Sequence, residues 1–397
     1  MNEQQIAKAE EAILHTYNRF PVTFDRGEGV YLYDTEGKKY LDFYAGIAVS
    51  ALGYHYPGYD DALKAQIDKL LHTSNLFYNA PAVSAAEKLK KLSGLDRVFF
   101  TNSGTEAIEG AIKTARRYAY NKDIAAGREP GYDCEIIAMK SSFHGRSMGS
   151  LSVTGNDHYQ DPFRPMIGGV KFADFNDIDS VKALVTDKTV AIIMETFQAE
   201  GGIYPGTKEF AQAVRKLCDE KDMLLILDEV QCGMGRTGSM FYYQQLGIMP
   251  DVLTIAKALG CGVPVGAFLV NEKAATLVPG DHGTTYGGNP FVCAAANQVL
   301  DTFEKDGIVA NAKEVGTYLY EKLEELAKSS EHIVDHRGVG LLQGLEFDGP
   351  VGDISKKALE NGLVVISAEH NVIRFLPPLV IKKEHVDEMI EKFKKCI

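Results

Sequence analysis

The 397-residue sequence predicts an α/β fold, with a large domain built on a mostly parallel central sheet and a smaller α+β domain. Three observations predict it. Between about residues 85 and 275, short continuous apolar runs alternate with amphipathic helical stretches, the pattern of strands buried on both faces. After about residue 293 the rhythm changes to a long helix, strand-like runs and a charged terminal helix. The chain is also too long for one small core, and no internal repeat, low-complexity tract or long linker divides it. The expected division is an N-terminal segment with a hairpin at 1–50, attached to the small domain, a large domain at 51–292 and a small C-terminal domain at 293–397.

The elements follow in order. The start, MNEQQIAKAEEAIL, is acidic and amphipathic, without the basic start and apolar core of a secretion signal. GVYLYD and KKYLDF flank TEG and read as a hairpin over 29–34 and 38–43 with Gly37 at the turn. Apolar runs at 98–100, 135–139, 190–194, 223–227, 252–255 and 265–270 read as the sheet strands. Val315, Leu319, Leu323 and Leu326 mark one face of a long helix. Strand-like runs follow at 341–347, 363–366 and 372–375.

Composition narrows the class. A net charge of -12 argues against a nucleic-acid surface. No apolar run approaches the roughly 20 residues that span a bilayer. Cys134, Cys218, Cys232, Cys261, Cys293 and Cys396 are scattered without a C-x-x-C pair, as in a reduced, cytoplasmic protein. His332 and His336 stand four apart, but Ile333 and Val334 between them read as strand, so no metal site is expected.

In open α/β sheets ligands bind beyond the carboxyl ends of the strands. After 98–100 comes TNSGTEA, a polar glycine turn entering a helix marked by Ala107, Ile108, Ala111, Ile112 and Ala115. Free amides and hydroxyls there suit a phosphate, although Ser103 or Thr105 as an ordinary helix cap explains the turn equally well. The turn matches neither a Walker nor a dinucleotide-binding glycine pattern. After 135–139 comes KSSFHGR, with a flat ring and a guanidinium suited to a flat, carboxylate-bearing ligand. After 190–194 comes ETFQAEGG, whose two acids either cap a loop or face a cleft. Asp228 ends the apolar run MLLIL, and a carboxylate there needs a positive partner or good hydrogen bonds. Lys257 follows 252–255. Beyond a buried strand it can pair with an acid, bind phosphate or serve as a nucleophile with a lowered pKa. Together these groups fit pyridoxal phosphate: an amine for its aldehyde, an acid for its pyridine nitrogen and a helix start for its phosphate.

At this point the chain resembles the class III, ornithine-type aminotransferases of the fold-type I pyridoxal-phosphate enzymes. The resemblance runs from Gly29 to about Leu379. LYDTEGKKYLDFYAGIAV, TNSGTEAIEGAIKTAR, SFHGRSMGSLSVTG, ETFQAEGG, LLILDEVQCGMGRTG, PDVLTIAKALGCGVPVGA, HGTTYGGNP and IRFLPPL carry it. The 29-residue separation of Asp228 from Lys257 is also one the family shows.

The resemblance implies that Lys257 forms the Schiff base and that Asp228 pairs with the pyridine nitrogen. It implies that Val230 and Phe143 pack on opposite ring faces, that Gln231 reaches the ring hydroxyl, and that Ser103, Gly104 and Thr105 hold the phosphate. Thr285, with Thr284 beside it, resembles the threonine that reaches that phosphate from a partner subunit, which implies a homodimer with shared active sites. Arg374 looks like the arginine for the α-carboxylate of 2-oxoglutarate. Glu200 resembles the acid that pairs with it when an ω-amino substrate enters, and Arg146 looks like the site for the substrate's far end.

Within the class, NSGTEA, SFHGR and AGIAV are most similar to the branch that acts on N2-acetylornithine in arginine biosynthesis. Ornithine, succinylornithine and other ω-amino substrates remain alternatives. A different class, a non-catalytic pyridoxal-phosphate-binding regulator, would normally carry a DNA-binding module, which the acidic N-terminus does not supply. One departure stands out: Thr196 and Ala199 occupy positions where the family usually has proline and glycine.

Overall fold

A computed structural model describes residues 3–131 and 133–397. Near the N-terminus β1 (Phe24–Glu28), β2 (Tyr31–Asp34) and β3 (Lys39–Asp42) form an antiparallel meander. Gly37 turns the β2–β3 hairpin with φ +84°, as expected from TEG. The Asp34 carboxylate secures the turn by accepting the Glu36 and Lys38 amides, each at 2.9 Å.

The central sheet draws on β4 (Arg97–Thr101), β5 (Glu135–Met139), β6 (Val170–Ala173) and β7 (Thr189–Glu195). A short ribbon, β8 (Phe197–Gln198) with β9 (Tyr204–Pro205), leads on to β10 (Leu224–Asp228), β11 (Val252–Ile255) and β12 (Gly266–Val270). The seven strands lie in the order β4-β12-β11-β10-β7-β5-β6. β12 alone runs against its neighbours β11 and β4. The link from Ile255 to Gly266 is too short for the dozen-residue crossover that parallel pairing needs, so the chain must turn back. The remaining strands run one way, so the ends of β4, β5, β7, β10 and β11 share one edge. β6 is an edge strand that the apolar-run criterion passed over. Lys171 interrupts its short run, and most of it is only half-buried.

The C-terminal part holds β13 (Ile333–Val339), β14 (Leu342–Phe347), β15 (Leu363–Val364), β16 (Ile366–Ala368) and β17 (Val372–Phe375). Four of these form a sheet ordered β13-β14-β17-β16. β15 instead pairs in parallel with β3, so a strand from near the C-terminus completes the N-terminal meander. The long helix Ile308–Ser329 buries Val315, Leu319, Leu323 and Leu326, the face expected from their spacing. Residue 293, where the sequence rhythm changes, lies in the first turn of the helix Pro290–Lys305. No described helix is long and apolar enough to cross a membrane.

The helix Gly104–Ala125 is the element that most directly positions the site. Its N-cap Ser103 is extended, and Ala107, Ile108, Ala111 and Ala115 are buried in a cluster with Ile136, Ile226, Val252 and Phe268 from the sheet. Gly110 allows the close approach, because a Cβ there would stand 2.2 Å from the Phe268 ring. Gly110→Ala should therefore lower stability. Overpacking costs about 1–3 kcal/mol, which exceeds the roughly 1 kcal/mol that alanine gains over glycine in a helix. Denaturant unfolding checks this, and a variant as stable as the parent would show that the helix is free to shift.

Candidate active site

The ends of β4, β5, β7, β10 and β11 open on a cavity of about 410 Å³. Ser103, Gly104, Thr105, Phe143, Arg146, Asp228, Val230, Gln231 and Lys257 line it, so most of the residues expected from the sequence are brought together. Arg374 and Glu200 stand one contact back, where an Arg374 Nη1 reaches Gln231 Oε1 at 3.3 Å. Thr284 approaches through Asn102, whose Nδ2 donates to its hydroxyl at 3.3 Å. Thr285 is solvent-exposed and does not line its own chain's cavity. Among the described residues no cluster of His, Cys, Asp and Glu is placed to hold a metal ion. His332 instead pairs with Asp348, and His336 with Glu324 and Gln343.

At the start of the helix both readings of TNSGTEA hold at once. Ser103 Oγ caps the helix, accepting the Glu106 amide at 3.3 Å, while the amides of Gly104 and Thr105 precede any intrahelical acceptor. Those amides and the helix dipole make an anion cup. A side chain at Gly104 would meet Val230 Cγ1 at 2.8 Å, so the cup and Val230 touch only because residue 104 is glycine. The Thr105 hydroxyl is turned to Ser147 Oγ at 2.8 Å, which in turn donates to Glu109 at 2.6 Å. That chain of hydroxyls ties the helix to the loop carrying Arg146.

Asp228 ends β10 almost fully buried. Its Oδ1 accepts the Val230 amide at 2.9 Å and its Oδ2 lies 2.8 Å from His144 Nδ1. Each carboxylate oxygen keeps a further lone pair for a ligand. His144 was visible within SFHGR, but nothing in the sequence assigned it a partner 84 residues away. Its other ring nitrogen is buried without a hydrogen-bond partner among the described residues. Parallel pairing sets Glu195 of β7 directly abreast of Asp228. Burial, reinforced by the Asp228 charge, pushes the Glu195 carboxyl well above the usual range, although Glu195 accepts the Phe143 amide at 3.0 Å.

Lys257 opens a short 3-10 turn immediately beyond β11. Its φ of +45° lies in the left-handed region, unusual for a side chain with a Cβ. Burial, helped by the Arg374 charge, lowers its pKa to about 8 against the pull of Glu200, Asp228 and Glu195. An amine so placed is available in its neutral, nucleophilic form near neutrality. The glycines that follow let the chain fold tightly back, since a Cβ at Gly260 would fall 2.0 Å from the Val263 carbonyl.

The guanidinium of Arg374 is 1% exposed. It pairs with Glu200 at 2.7 Å, and its Nε and Nη2 donate to the Ser367 carbonyl at 3.2 and 3.0 Å. This pair forms with Thr196 and Ala199 in the preceding loop. Thr196 donates to Glu229 Oε1 at 3.0 Å, and Glu229 also accepts the Tyr242 and Tyr243 amides, each at 2.7 Å. Burial pushes the Glu229 carboxyl up to about 7 despite these donors. Arg146 lies across the Tyr159 ring, 3.7 Å from its centroid, and no carboxylate pairs with it among the described residues. A partly buried ion pair, a free guanidinium, an anion cup and an amine sharing the cavity with a carboxylate suit covalent capture of an aldehyde-bearing anionic cofactor and binding of a dicarboxylate.

Residues 12–397 match the family model described as aminotransferase class-III. The chain is 48% identical over 387 residues to an acetylornithine aminotransferase of Clostridium acetobutylicum, covering 97% of this chain and 98% of that one. It is 49% identical over 381 residues to an acetylornithine aminotransferase of Methanocaldococcus jannaschii, covering 95% and 94%. Among solved structures it resembles the ornithine aminotransferase of Toxoplasma gondii, which contains pyridoxal phosphate at partial occupancy in its active site. That match has a TM-score of 0.94 and 30% identity, over 100% of this chain and 94% of that one. The acetylornithine aminotransferase of Elizabethkingia anophelis matches with a TM-score of 0.87 and 31% identity, over 100% and 98%.

The lowered Lys257 pKa has a direct readout. In the cofactor-free chain, labelling of Lys257 by an amine-directed reagent, followed by peptide mass spectrometry, should rise with pH to a midpoint at about 8. The neutral amine is the reactive form, so a midpoint near the ordinary lysine value of about 10.4 would contradict the assigned environment.

Proposed function

The chain belongs to the class-III aminotransferases and is a transaminase, and on that premise we propose that it moves the ω-amino group of N2-acetyl-L-ornithine to 2-oxoglutarate. The products are N-acetyl-L-glutamate 5-semialdehyde and L-glutamate, and the reaction belongs to cytoplasmic arginine biosynthesis. One observation carries the chemistry: the Lys257 amine and the Asp228 carboxylate open on the same cavity from the ends of neighbouring parallel strands. The long, closely similar acetylornithine aminotransferases support the choice of donor.

The cavity fits pyridoxal phosphate. Glycine at 104 leaves the cup open, two first-turn amides point outward for a phosphate, and Asp228 is held to face a ring nitrogen. When bound, the cofactor supplies an aldehyde for amines and a ring that draws electron density from the carbon bearing the amine. Ser103, Gly104 and Thr105 would hold its phosphate, Phe143 and Val230 would pack against its ring, and Gln231 would meet the ring hydroxyl. Asp228, fixed by His144, would favour a proton on the ring nitrogen.

Lys257 carries the proton work. Its lowered pKa lets Nζ take a proton from the carbon bearing the amine and return it nearby. Arg374 grips the α-carboxylate of 2-oxoglutarate, and Arg146 takes the far carboxylate. Glu200 covers Arg374 while the ω-amino donor is bound, so that a buried guanidinium is never left unpaired. Amino donor and oxo-acid acceptor use the site in turn, which gives ping-pong kinetics.

We propose a homodimer, and the exposed end of the same region supports that reading. Leu76, Phe77, Tyr78 and Tyr286 are exposed apolar side chains. Asn75 joins the segments they occupy by donating to the Thr284 and Gly287 carbonyls at 3.2 and 3.0 Å. In that reading a second copy covering this patch would bring Thr285, with Thr284 beside it, to the other copy's phosphate cup.

Side-by-side kinetics with acetylornithine, succinylornithine, ornithine and 4-aminobutyrate test the donor. Acetylornithine should give the highest kcat/KM, and a higher value for ornithine or 4-aminobutyrate would overturn the assignment. Lys257→Ala should retain cofactor yet lose turnover by at least about a thousandfold; near-normal activity would remove the lysine from the mechanism. Arg374→Ala should weaken the 2-oxoglutarate half-reaction, and an unchanged single-turnover rate and affinity there would refute its role.

A further inference from the structure

β16 and β17 form a hairpin that turns through His370 and Asn371, both in the left-handed region at φ +60° and +57°. Ser367 of this hairpin orients Arg374 through its carbonyl. Glu369, just before the turn, bonds in two directions. Its amide donates to the Glu200 carbonyl at 3.2 Å, and its carboxylate accepts from Asn156 Nδ2. Asn156 follows the Thr154 and Gly155 stretch that braces the Phe143 loop, where Thr154 Oγ1 accepts the His144 amide at 2.9 Å. Glu369 is half-buried, and no cation pairs with it among the described residues. Burial raises its pKa, and the neighbouring Glu200 charge adds to the rise while His370 and His158 oppose it. The charges of Glu200 and Glu369 both bear on Tyr159, the ring stacked with Arg146, so the two acids stand near one another beside that ring.

The geometry points to Glu369 as a positioning residue that biases the Glu200 side chain toward Arg374 and so sets how readily a dicarboxylate acceptor displaces it. The inference rests on reading Arg374 as the acceptor's carboxylate site. The Glu369 amide anchors the Glu200 main chain, so only the Glu200 side chain is free to swing. Toward Arg374 it meets a cation at 2.7 Å. The Glu369 carboxylate, held in place by Asn156, lies near enough to feel the Glu200 charge. Like charges in a partly buried site repel, so the negative charge of Glu369 holds the Arg374–Glu200 pair closed. Each acceptor molecule must work against that charge, whereas the ω-amino donor leaves the pair intact.

Glu369→Gln separates charge from shape, because the amide oxygen still accepts from Asn156. The holoenzyme carrying it should show a KM for 2-oxoglutarate about three- to tenfold lower, with kcat within about twofold and the donor KM unchanged. Glu369→Ala should lower the acceptor KM in the same direction. An unaltered acceptor KM in Glu369→Gln, with both half-reactions impaired in Glu369→Ala, would overturn the inference and leave a purely structural clasp. Arg374→Lys serves as the control on the underlying reading. If it raises the acceptor KM while Glu369→Gln does nothing, the Glu369 inference alone fails. If it leaves acceptor binding intact, the assignment of Arg374 fails.

Discussion

The register of three parallel strands is the constraint on which the rest of the site depends. β7, β10 and β11 are paired so that Glu195, Asp228 and Thr254 stand abreast, and Lys257 follows just beyond. Once those strands are fixed by their buried apolar residues, two carboxylates and an amine have nowhere to go but the common edge. A one-residue slip of β10 would turn Asp228 to the opposite face and into a hydrophobic layer. Burial of Leu224 to Leu227 on both sides is therefore what aims the carboxylate.

The electrostatic pattern follows from that crowding. Charges close together in a poorly hydrated space cannot all keep their ordinary protonation, so burial lowers Lys257 and raises Glu195. Arg374 pairs with Glu200 and donates to Ser367. Asp228 is held by an amide and an imidazole. The left-handed backbone at Lys257 adds a small conformational cost at the point where the amine must face the cavity.

Much of this was legible before any coordinates, because local patterns carried it. The TEG hairpin, the buried strands and the apolar face of Ile308–Ser329 each depend on near neighbours in sequence. Lys257 and Asp228 were visible as charges at the ends of apolar runs, which is where a parallel sheet puts its ligands. What escaped depends on distant pairing. His144 meets Asp228, and Asn156 meets Glu369, only after folding. The reversal of β12 follows from a connection length rather than from any strand residue. β6 was hidden because an edge strand need not be continuously apolar. The threonine in ETFQAEGG reads as a departure in the motif, yet its hydroxyl has a partner in buried Glu229, which proline could not supply.

We propose that strand register places the Asp228 charge where it drives proton removal by Lys257. The most direct test is the single-turnover rate of the donor half-reaction in Asp228→Asn, with cofactor loading and folding verified. The amide keeps the shape of the carboxylate but not its charge. The account predicts a rate lower by at least about a hundredfold with the cofactor still bound. A rate equal to that of the parent protein would contradict it.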